Sequence, residues 1–94
     1  MVIGCTGNYL KPEFFSILSK LIPLITKSGN EILISSRVQT SEDYPFLKDQ
    51  RFYHMDELIN KCDIMLSIGG DGTIFSTVRQ MGKNGIPILG IHIG

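Results

Sequence analysis

The sequence carries no excess of either charge: nine Lys plus Arg balance nine Asp plus Glu over 94 residues. Gripping a phosphate backbone or an anionic membrane surface takes basic residues clustered on one face, so neither nucleic acid nor a membrane is expected as a partner. Charge of any sign is sparse. Charged residues reach 19% against roughly 25% in ordinary soluble domains, while apolar residues reach 43%. So small a chain cannot bury that much apolar surface by itself, which points to a missing neighbour. Long apolar runs are also lacking. The stretches at 64–68 and 86–93 are short or interrupted by Gly, Pro or polar residues, far from the roughly 20 residues a membrane-spanning helix needs. Met1-Val2-Ile3-Gly4 has neither a basic segment nor an apolar stretch leading to small residues, so no secretory signal is read and a cytoplasmic location is expected. Cysteine is limited to Cys5 and Cys62, without a Cys-x-x-Cys or a Cys/His cluster. That argues against a disulfide framework or a zinc site and predicts two buried free thiols.

What the chain does contain is an alternation of short apolar runs with amphipathic segments. Residues 2–5 and the turn residues Thr6-Gly7-Asn8 read as a first strand running into a loop. Phe14, Leu18, Leu21 and Ile25 recur at helical spacing, predicting a helix from about 12 to 27 with Pro12 in its first turn and Gly29 at its C-terminal cap. This stripe reads as core rather than as a cofactor box. Pro23 cannot donate to the Ser19 carbonyl, so a kink or break is expected there. Residues 31–35 form a second strand candidate, and 37–53, without sustained periodicity, read as a surface excursion with at most a turn of helix. Asp56 is placed to cap a short helix over 57–60. A third strand is predicted at 63–68, a third helix at 73–81 and a fourth strand at 87–91. Continuous apolar strands alternating with helices predict one α/β unit over 1–94, a partial nucleotide-binding domain with a mostly parallel four-strand sheet and helices on both faces.

The informative stretch is Gly69-Gly70-Asp71-Gly72-Thr73, lying between a buried strand and the start of a helix. Glycine lets a ligand approach the backbone without a Cβ in the way, and the N–H groups of the following helix N-terminus attract phosphate oxygens. Asp71 would repel the anion those glycines invite unless it faces a hydroxyl or a magnesium ion. An acceptor hydroxyl held by Asp71, beside phosphates held by Gly69, Gly70 and Gly72, is an arrangement suited to phosphoryl transfer, where positioning carries most of the catalysis. A carboxylate is a weak base, so Asp71 would orient the hydroxyl and accept its proton late. The same residues also read as a tight turn with Asp71 or Thr73 capping the helix. Spacing leaves both readings open, and neither GxxxxGK[ST] nor GxGxxG is present.

Taken with Asp63-Ile64-Met65-Leu66-Ser67-Ile68 before it and Ile86-Pro87-Ile88-Leu89-Gly90-Ile91 after it, the motif resembles the NAD kinases. The pentapeptide is shared with diacylglycerol and sphingosine kinases; the second apolar segment at this distance is what points to NAD kinases. The likeness is strong over 63–94 and by pattern alone before that. It implies transfer of the terminal phosphate of ATP, or of polyphosphate, to the 2′-hydroxyl of the adenosine ribose of NAD. It also implies Asp71 as catalytic proton acceptor, Asp71 and Gly72 as NAD contacts, and Gly69, Gly70, Gly72 and Thr73 as the phosphate-binding loop. Magnesium is expected with ATP, held mostly by phosphates and water, and no protein metal site is predicted. Two positions depart from the pattern: His92 stands where relatives commonly carry Asn, and Ser76 where some place a basic residue. The family continues beyond this length with an Asn-Glu motif and a β-rich domain that completes the site and the oligomer interface, a dimer or tetramer. The 94-residue chain is therefore expected to be an inactive fragment of an active kinase.

Two alternatives are a lipid or sugar kinase using the same loop, and a noncatalytic nucleotide-binding module. The first loop, residues 4–8, would open at the same sheet edge as the glycine motif and either line a crevice there or form an ordinary turn. Arg79 faces phosphate or solvent, and His54 and His92 are offered neither as metal ligands nor as acid-base groups.

Overall fold

The computed structural model describes residues 1–38 and 43–93. Residues 39–42, within the expected excursion, and Gly94, the last residue of the resemblance, lie outside the described residues. Five strands form one sheet in the order β3-β2-β1-β4-β5, all parallel: β1 (Val2–Gly7), β2 (Glu31–Ser35), β3 (Arg51–Tyr53), β4 (Ile64–Gly69) and β5 (Ile88–His92). The expected sheet of four is thus one strand short. β3 pairs at the edge with β2, and two 3-10 turns, Ser36–Val38 and Pro45–Leu47, lead to it. The excursion is also less superficial than its polarity suggests. Val38 and Leu47 are fully buried, and Tyr44 stacks on Phe15 with ring centroids 3.8 Å apart.

Three helices cover the sheet. α1 (Pro12–Lys27) buries Phe14, Phe15, Leu18, Ile22 and Ile25 on one face, against Cys5, Ile34, Leu66 and Ile68. α2 (Met55–Lys61) and α3 (Asp71–Met81) close the other face, where Leu58, Cys62, Met65 and Met81 meet Leu33. Alternate strand residues serve the two faces: Leu66 and Ile68 join the first cluster, Met65 the second. This is the arrangement a sheet buried on both sides requires.

Pro12 opens α1 at its first position, and Gly29, at φ +80°, follows its end. α1 remains continuous through Pro23, so of the expected kink or break the break does not occur. Pro23 lies on the exposed side of the helix, where water can serve the carbonyl that loses its donor. α2 begins earlier than expected, with His54 at the cap position and Asp56 inside the first turn, its Oδ1 accepting the Glu57 N–H at 3.1 Å. Both cysteines are buried and free, as expected. Burial pushes the Cys5 thiol up to about 12, and burial is also the main cause that raises Cys62. Among the described residues no helix is long and apolar enough to cross a membrane.

Candidate phosphate-binding site at the strand ends

β1 and β4 lie side by side and send their following helices to opposite faces of the sheet, so a crevice opens beyond their C-terminal ends. The first loop and the glycine motif share that crevice. Gly7 pairs with Ile68, and the Asn8 N–H donates to the Ile68 carbonyl at 2.9 Å. Asn8 then turns the chain by accepting the Leu10 N–H on Oδ1 at 3.1 Å.

Across the crevice, Gly70 is the N-cap residue of α3, at φ −91° and ψ −173°, and makes no side-chain cap. Asp71, Gly72 and Thr73 form the first turn, whose N–H groups have no intrahelical acceptors. The helix therefore starts two residues before the expected 73. Neither Asp71 nor Thr73 is its cap. Thr73 instead packs against Gly69 and gives its carbonyl to the Thr77 hydroxyl at 3.0 Å. The Thr77 hydroxyl also lies 2.8 Å from that of Ser67, a buried pair that ties α3 to β4.

A cleft of about 340 Å³ lies between the two loops. Among the described residues its polar lining is Thr6, Asn8, Tyr9, Thr73, Ser76, Thr77 and Gln80 with the cation Arg37, the Thr77 hydroxyl being already engaged by Ser67 and the Thr73 carbonyl. Its lining holds no carboxylate among the described residues. Hydroxyl donors, a guanidinium and a helix N-terminus together suit an anion such as phosphate. Arg37 comes from the turn after β2 and went unnoticed in the sequence because it sits in a segment without periodic signal. Arg37 also lines a second cleft, of about 440 Å³, with Ser35, Ser36 and His54, where Ser36 Oγ lies 3.3 Å from His54 Nδ1. Arg79 is exposed and does not line the first cleft.

Asp71 stands at the rim with 83% of its side chain exposed. The sheet brings it a partner: His92 Nε2 lies 3.3 Å from Asp71 Oδ1. No local signal marks this pairing, which depends on the register that sets His92 beside Gly69.

A parallel α/β domain whose switch-point crevice pairs a glycine loop with one exposed carboxylate is the class that fold and site define. The ATP-NAD kinase N-terminal domain family matches this sequence over residues 8–94, and the chain belongs to that family. Similar curated proteins include the NAD kinase of Sulfurimonas denitrificans, 55% identical over 98% of this chain and 30% of the relative. The NAD kinase of Bacteroides fragilis is 35% identical over 100% of this chain and 33% of its own length. Among solved structures, yeast NADH kinase complexed with NADH superposes with a TM-score of 0.80 at 17% identity, over 100% of this chain and 31% of that one. At that identity the superposition shows the fold. The chain spans about a third of the length of the curated relatives it matches.

Proposed function

We propose that the full-length protein carrying this domain is an NAD kinase, moving the terminal phosphate of ATP, or of polyphosphate, to the 2′-hydroxyl of the adenosine ribose of NAD. The observation that carries this reading is the juxtaposition of an exposed Asp71 with a hydroxyl-lined cleft whose described residues include no carboxylate. A lone carboxylate at the rim of an anion site has a use when the second reactant brings a hydroxyl. The first-turn N–H groups of Asp71, Gly72 and Thr73, with Gly69 and Gly70 leading into them, hold donor phosphates, and Arg37 offsets their charge from the far wall. Asp71 orients the 2′-hydroxyl and takes its proton as the oxygen bonds to the terminal phosphorus and the bond to the leaving oxygen of ADP breaks.

Magnesium fits this site as part of the nucleotide. Among the described residues no three His, Cys, Asp or Glu side chains gather to hold a metal ion, so phosphate oxygens and water would hold it, with Asp71 the carboxylate at the rim. Bound with the nucleotide, such an ion would supply charge neutralisation on the phosphates. The enzyme is further proposed to be a cytoplasmic homo-oligomer, a dimer or tetramer, which sedimentation of the full-length protein would read.

The test is NADP formation from NAD and Mg-ATP by three samples: the full-length protein, its Asp71→Asn variant and the 94-residue chain alone. Activity in the first, a loss of several orders of magnitude in the second and none in the third supports the proposal. A full-length protein that binds nucleotide yet forms no NADP would sink it in favour of a lipid or sugar kinase or a noncatalytic module.

A further inference from the structure

On the reading that Asp71 receives the hydroxyl proton, we propose that His92 is its positioning residue, donating Nε2–H to Oδ1 and leaving Oδ2 to the acceptor hydroxyl. Asp71 needs such a device. Its carboxylate is 83% exposed. An exposed Asp on a helix first turn is free to change rotamer, and a base that wanders from its near-attack position forfeits most of its effect. Among the described residues His92 is the side chain within ion-pair distance of it.

The backbone that carries His92 is fixed by the sheet. Gly69 and His92 are register partners in the β4–β5 pair, and the Ile93 N–H donates to the Gly69 carbonyl at 3.1 Å. Residues 90 and 92 share the face of β5 turned to α3, where a Cβ on Gly90 would stand 2.8 Å from Ile74 Cδ1. The missing Cβ at 90 lets α3 settle close over β5, and that brings the first turn of the helix to His92. At 3.3 Å the pair is at the long end of hydrogen-bond reach, a spacing that tightens when substrate completes such a site.

The test uses the full-length protein and two variants, His92→Leu and His92→Gln, with kcat and KM measured for NAD and for Mg-ATP. Gln keeps a donor near the Nε2 position; Leu does not. His92→Leu is expected to lower kcat about tenfold with both KM values within about twofold, and His92→Gln to recover most of the loss. Nitrogen-15 imidazole NMR should find the His92 proton on Nε2, and Asp71→Ala should reduce that tautomer. An unchanged kcat in His92→Leu, equal losses in both variants, a change in KM alone, or a His92 proton on Nδ1 overturns the positioning role while leaving the kinase reading intact. A wild-type protein that forms no NADP overturns both.

Discussion

Two kinds of glycine sit within one short motif at the end of β4. A Cβ on Gly69 would lie 2.6 Å from Thr73 Cβ, and one on Gly7, next door in β1, would lie 2.2 Å from the Ile68 carbonyl oxygen. Around Gly70 and Gly72 a Cβ would meet nothing within 4 Å, and neither residue has a positive φ. The inner pair is glycine because strand and helix close upon it. The outer pair has no such reason among the described residues, and Gly72 lines the cleft. Packing thus demands glycine on one side of the loop and leaves it unexplained on the other.

The sharpest way to separate the two regions is Asp71→Asn in the full-length protein. It should cut NADP formation by about 10³-fold while leaving the melting temperature within a degree or two, because the side chain is exposed and supports no packing. A large loss of stability would move Asp71 to the structural side. Gly7→Ala should do the reverse, with a destabilisation of about 3 kcal/mol in denaturant unfolding as the Ile68 carbonyl and the Phe14 ring are forced aside. If it unfolds no more easily than wild type, the close approach at the inner glycines is not what the fold requires. Gly72→Ala should keep or slightly raise stability, since alanine is the better helix former by about 1 kcal/mol, yet weaken Mg-ATP binding by about tenfold. Unchanged binding there would remove the ligand as the reason for the outer glycines.

The mildest effect concerns the interior alone. Cys5 keeps its proton in the folded protein up to about 12, whereas the unfolded thiol ionises around its ordinary 9.0. The unfolded state therefore binds fewer protons between those values. The contribution of this thiol is fully present below about pH 9 and is lost as pH rises toward about 12. Cys5→Ala should show a shallower fall in melting temperature than wild type across that window, and iodoacetamide should leave Cys5 unmodified in the native protein at neutral pH.

The sequence patterns that were legible are those whose cause is local. The helix over 12–27 shows in the spacing of its apolar residues, and the glycine loop shows as three glycines around one carboxylate. β3 does not show, because three residues with a charged first position carry no period, and their strand character comes from pairing with Leu33, Ile34 and Ser35. Thr73 looks like a cap because threonine often is one, but Gly70 takes that place and Thr73 is used to pack Gly69. Arg37 and His92 reach the site only through the order and register of strands distant in sequence, which no window along the chain contains.

The Ser67–Thr77 hydroxyl pair has a mechanical side. It bolts the second turn of α3 to the middle of β4, while the Thr77 hydroxyl also reaches the Thr73 carbonyl one turn earlier. Sliding the helix along the strand would strand two hydroxyls in an apolar interior, a cost of a few kcal/mol. The glycine loop is therefore a short span between fixed abutments. The loop's seat is thus already set, and any closing motion in the full-length protein must be carried by parts other than this helix.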